Sequence, residues 1–172
     1  MTIPLIVGIS ITQCMIYQRF ECDFIERTMK IIKQYEDFVE NNKNIQDEEK
    51  FEVTLLINCL LGLLVLPKQK HIHNIPQIPV SQLAEKWDFR EEFIERWGNV
   101  QENMRDLPYI VLRMRNSVAH MNITILGNGE TIEFIEFNDD KYSNNIFKAK
   151  IPVKNLKTFV KNLAKSIIGR YP

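Results

Sequence analysis

The sequence predicts a mainly α protein, a helical bundle with a small β-hairpin or sheet inserted before the last helix. Three observations carry this. Apolar residues recur at three- and four-residue steps in most of the chain. Only the stretch from Ile123 to Ile151 turns to β-branched and aromatic residues around turn formers. With 172 residues, 45% of them hydrophobic and 26% charged, the chain suits one ordered domain over residues 1–172.

The elements follow in order. From Tyr17 to Asn41, Phe20, Phe24, Ile31, Tyr35 and Phe38 mark one face of an amphipathic helix whose other positions hold acids and bases. Asn41 to Asp47 is polar and loop-like, and Asp47 is a fair N-cap for a second helix through Leu66. That helix is apolar nearly all round and should sit centrally. Lys68 to Val80, with Pro76 and Pro79, is a connecting loop. Ser81 to Met104, with Leu83, Ala84, Trp87, Phe93, Ile94 and Trp97, fits one long helix or two shorter ones, with Asp88 and Glu91 as a capping box inside it. After Asp106 and Pro108, Tyr109 to His120 resumes helical spacing. Ile123–Leu126 and Thr131–Phe137 flank Gly127-Asn128-Gly129, and Asn128-Gly129 suits a two-residue hairpin turn. Ile146 to Ile151 can add a strand, and Val153 to Ile168 is the closing helix.

Charge and composition narrow the function classes. A formal net charge of zero argues against a protein that coats nucleic acid through long-range attraction, so a nucleic-acid site must be a local patch. Cys14, Cys22 and Cys59 lack the spacing of a zinc site or a disulfide framework, which suggests a reducing, cytoplasmic compartment. The apolar run Ile3–Ile16 lacks a basic n-region and is broken by Gly8, Ser10, Thr12 and Gln13, so it makes a poor signal peptide. The sequence assigns no role to residues 1–15. Leu55–Leu66 falls well short of the roughly 20 residues that span a bilayer, so no membrane partner is expected.

Against this neutral background, Arg105, Arg113, Arg115 and His120 fall within sixteen residues, with Asp106, and Glu102 just outside, as the acids. Cleaving a phosphodiester through an RNA 2′-hydroxyl needs a group that exchanges protons near neutral pH and a fixed cation at the phosphate oxygens. His120 and Arg115 are of those types. At about 100° per residue, Asn116 and His120 share a helix face while Arg115 lies roughly 140° from His120. Asn116 is therefore expected to reach the imidazole and fix its orientation, and Arg115 to wrap toward a shared cleft. One helix does not easily close such a site, so a second copy across a two-fold axis is expected to complete it. An arginine five places before a histidine arises by chance in roughly one chain in six of this length; the intervening Asn116 lowers that to below about one in a hundred.

Arg115-Asn116-Ser117-Val118-Ala119-His120, after a helical stretch, resembles the Arg-polar-x-x-x-His signature of the HEPN superfamily. The run from Phe51 to Pro67 also resembles a helix of bacterial and plasmid HEPN proteins, and the resemblance covers the chain from about Phe20 onward, leaving out Met1 to Met15. It implies a HEPN-like helical bundle working as a homodimer and a metal-independent endoribonuclease of toxin or defence type that needs no cofactor and leaves a cyclic phosphate. Carried over position by position, it implies that Arg115 stabilises charge on the scissile phosphate, His120 transfers protons and Asn116 is the polar support. The alternative it leaves open is a non-catalytic dimeric module binding RNA or a cognate antitoxin or nucleotidyltransferase.

Other features have blander readings. His71 and His73 lack a third metal ligand nearby, so a solvated loop is favoured. Glu130, Glu133, Glu136, Asp139 and Asp140 read as a solvated acidic face rather than a magnesium site. Trp87, Phe93 and Trp97 read as core or dimer packing rather than a base-stacking platform, and Ser117 as a small packing residue rather than a nucleophile.

Overall fold

The computed structural model describes residues 20–42, 54–55, 57–58, 62, 75–128, 132–140 and 146–169. Helix α1 is Phe20–Asn41, α2 is the single turn Ala84–Trp87, and β1 is Ile94–Trp97. Helix α3, Leu107–Ala119, carries the motif; β2 (Ile123–Gly127), β3 (Ile132–Asp139) and β4 (Phe147–Pro152) follow, and α4 (Val153–Ile168) closes the chain. The segment Ile3–Ile16, most of the second apolar run, the three cysteine side chains and His71 and His73 lie outside the described residues.

The strands form one antiparallel sheet in the order β1-β4-β3-β2. This corrects the fold class: the protein is a mixed α/β structure, not a mainly helical bundle with a small insertion. The difference lies chiefly in Ser81–Met104. Instead of one or two helices, this stretch holds two short 3-10 turns, the single turn α2, strand β1 and a third 3-10 turn. Asp88 forms no capping box; it ends α2 in the left-handed region at φ 52°. Ile94 and Trp97 are spaced as on a helix, but their backbone groups find a better partner in β4, where they face Ala149 and Phe147. Tertiary pairing here overrides local periodicity.

The two strands expected here pair as a hairpin, and Gly129, on which the expected turn falls, lies outside the described residues. Ile123 faces Phe137 and Gly127 faces Ile132, with a register shift between Leu126 and Gly127.

One sheet face makes the core. Ile135, Phe137, Phe147, Ala149 and Ile151 are all buried on it, under Ile110, Met114 and Val118 of α3 and Leu156, Phe159, Val160 and Leu163 of α4. Trp87 and Phe89 pack against Phe159, with ring centroids 5.8 and 5.2 Å away, so Trp87 is core as the sequence suggested. Helix α1 is clamped to α4 by Glu36, whose carboxylate lies 2.9 Å from Lys157 Nζ and 2.7 Å from Lys161 Nζ. Gly62 is buried against α1, where an added Cβ would stand 2.5 Å from Phe24 Cε1. The glycine in this apolar run therefore permits a close helix approach.

Candidate functional site

Asp106 starts α3 by accepting the Tyr109 N–H at 2.9 Å, with Pro108 in the first turn. Leu107, Ile110, Val111, Met114, Ser117 and Val118 form its buried stripe. Ser117 is fully buried and its hydroxyl donates to the Arg113 carbonyl at 2.9 Å, which fits the packing role expected of it. The buried stripe fixes the rotation of the helix and so decides what each flank meets.

On the flank toward the end of β3, Tyr109, Arg113, Asn116 and His120 succeed one another at helical spacing. Arg113 donates from Nη1 to Asp139 Oδ2 at 2.9 Å, and Asn116 Nδ2 donates to the same oxygen at 2.9 Å. Asp139 is only 3% exposed. Such a carboxylate is tolerated in the core because a cation and a charge-assisted hydrogen bond compensate its lost hydration. Burial alone would lower the Arg113 pKa, but the hydrogen bond to Asp139 and the neighbouring Tyr109 raise it above the ordinary arginine value. Its guanidinium also lies 5.0 Å over the Tyr109 ring. The Tyr109 hydroxyl donates to the Trp97 carbonyl, and burial, partly opposed by Arg113, raises the phenol pKa.

Asn116 therefore spends its amide N–H on Asp139, not on His120 as the helical wheel suggested. Position alone put the two side chains on one face; the buried carboxylate is the stronger acceptor.

The end of α3 is built by a Schellman motif. Met121 N–H bonds to the Val118 carbonyl at 3.1 Å and Asn122 N–H to the Ser117 carbonyl at 2.8 Å. Met121, not glycine, holds the left-handed position at φ 56°, with 71% of its surface exposed. His120 is the C-cap residue and is exposed. The chain after it is tied to β3 twice more, by Asn138 N–H to the Asn122 carbonyl at 3.0 Å and Asn122 Nδ2 to Asp140 Oδ1 at 2.9 Å. Three consecutive residues, Asn138, Asp139 and Asp140, thus fasten both sides of His120.

Arg115 and His120 differ from this bound set. Among the described residues Arg115 has no ion pair, and its Nε is buried without a hydrogen-bond partner. The His120 imidazole likewise has no side-chain partner among them. By the spacing of α3, Asn116 and His120 lie on one flank and Arg115 on another.

The residue that sequence reading missed is Asp139, placed there in a solvated acidic face. The signal was present: with Ile135 and Phe137 it follows the period of two, so it belongs on the buried face. Glu136, on the opposite face, pairs with Lys148 at 2.9 Å, and the hydrogen bonds of Lys148 and Asn138 outweigh its burial and lower its pKa below 4.5. No group of three or more His, Cys, Asp or Glu that could hold a metal ion occurs among the described residues. Nor is any helix among them long and apolar enough to cross a membrane.

No curated protein and no solved structure matches the chain. The family model described as HEPN pEK499 p136 matches residues 11–172, reaching back beyond the Phe20 limit of the resemblance read from sequence, and the chain belongs to that HEPN family.

Proposed function

We propose that the protein is an endoribonuclease that cuts RNA through its own 2′-hydroxyl without a metal ion, with Arg115 and His120 at the reacting phosphate. The observation that supports this best is the Arg115 guanidinium, without an ion pair among the described residues, two residues from the neutralised Arg113. A partly buried cation with no carboxylate is costly to keep, and a phosphate is the partner its planar fork suits. HEPN domains are often ribonucleases and often work as dimers.

In the reaction the 2′-oxygen forms a bond to the adjacent phosphorus as the bond from phosphorus to the 5′-oxygen breaks. The products are a 2′,3′-cyclic phosphate and a 5′-hydroxyl. One imidazole takes the 2′-hydroxyl proton, the 5′-oxygen gains a proton, and Arg115 balances charge on the non-bridging oxygens. A single exposed His120 serves one transfer, so a second copy of the chain supplying the other is part of the proposal.

Purified protein incubated with total RNA and excess chelator should cleave it, and His120→Ala should lose the activity by about 10²- to 10⁴-fold. Intact RNA, or equal cleavage by His120→Ala, contradicts the reading. Tight RNA binding without cleavage instead supports a non-catalytic binding module.

A further inference from the structure

We infer that Asn116 is a specificity residue that accepts a hydrogen bond from a ribose 2′-hydroxyl, and that buried Asp139 sets it in that orientation. The inference rests on the reading that RNA binds along this flank of α3. An ionised carboxylate held by Arg113 can only accept, so the Asn116 group facing it must be the amide nitrogen. The carbonyl oxygen Oδ1, on the other branch of the same planar amide, is thereby turned away from the core.

That oxygen is left for a ligand. Asn116 is part-exposed, and no hydrogen bond from a described residue engages its Oδ1. Nor is it among the buried, unpartnered polar atoms of the described residues, so it reaches solvent. It lies one helical turn from His120 on the same flank, where neighbouring Cβ atoms stand about 5–6 Å apart. An acceptor beside an imidazole suits a donor hydroxyl, and the 2′-hydroxyl is the group that separates RNA from DNA. A backbone phosphate, itself an acceptor, gains nothing from this oxygen. The amide is also rigidly placed: rotating it by 180° would bring Oδ1 against Asp139 Oδ2 and set two acceptors face to face.

The test uses His120→Ala protein, so that nothing is cleaved, and compares binding of one RNA oligonucleotide with its 2′-fluoro counterpart, which keeps an RNA-like sugar but lacks the donor. The expected result is RNA binding about three- to tenfold tighter than the 2′-fluoro strand, a ratio that falls to near one when Asn116→Ala is added. Asp139→Asn, with its fold checked by circular dichroism, should also reduce the ratio, because an amide at 139 no longer dictates which way Asn116 turns. Asn116→Ala, at a part-exposed position, keeps the test independent of whether Asp139→Asn folds. A ratio near one in the starting protein, a ratio that survives Asn116→Ala, or no binding of either strand overturns the inference. The measurement reads binding alone, so failure of the nuclease reading appears separately, in the chelator assay.

Discussion

Arg113 and Arg115 stand two residues apart on one helix and have opposite surroundings. Arg113 is spent: Asp139, Tyr109 and the core hold it, and it locks α3 to the end of β3. Arg115 meets no carboxylate among the described residues. About 200° of helical rotation separates them, so they lie on opposite flanks of the buried stripe of α3, and only the Arg113 flank meets Asp139 at the end of β3. The comparison teaches that cationic residues close in sequence divide between structure and ligand according to what the sheet places opposite them.

Substitutions can break that contrast. The largest expected effect on folding comes from Arg113→Ala, which strands the Asp139 carboxylate in the core and should destabilise by about 3–5 kcal/mol, measured by denaturant unfolding. Arg115→Ala removes no ion pair and should stay within about 1 kcal/mol of wild type in the same experiment. Equal losses in the two variants would erase the distinction.

Smaller effects sharpen it. Asn116→Ala removes one of the two donors to Asp139 and should cost about 1.5–3 kcal/mol, less than Arg113→Ala because the neutralising cation remains. Met121→Gly relieves a left-handed position at an exposed residue and should stabilise by about 0.5–1 kcal/mol, seen as a raised Tm. The least disturbance of the site is expected from the Glu36 clamp. Burial favours protonated Glu36, but Lys157 and Lys161 hold its pKa below 4.5. Its folded value being depressed, the clamp contributes fully above about pH 4.5 and is lost as pH falls through that lower value. A Glu36→Gln variant should therefore be less stable than wild type at neutral pH and converge on it in acid.

Much of this was legible in the chain itself. Val153–Ile168 was read to its observed bounds because one strong apolar stripe has no competing partner, and Ile146–Ile151 lies within one residue of β4. The motif helix was also readable, Tyr109–His120 against the observed Leu107–Ala119 with His120 as its C-cap. Strand β1 was not, because its Ile94 and Trp97 carry a helical spacing and only β4, some fifty residues later, makes them a strand. That unread pairing turns a supposed helical bundle into a four-stranded mixed structure. Asp139 was misplaced for a related reason. It sits among five acidic residues, and composition outweighed the alternation that puts it on the core face. The expected contact between Asn116 and His120 failed because a helical wheel has no knowledge of what the sheet offers opposite it.

The most direct test of the account is RNA cleavage by Arg115→Ala beside wild type, with chelator present and both proteins shown to be equally folded. The account predicts a fall in kcat of about 10²- to 10³-fold, with wild-type products ending in a 2′,3′-cyclic phosphate. Undiminished cleavage by Arg115→Ala would contradict it, for then the Arg115 guanidinium has no part in the chemistry.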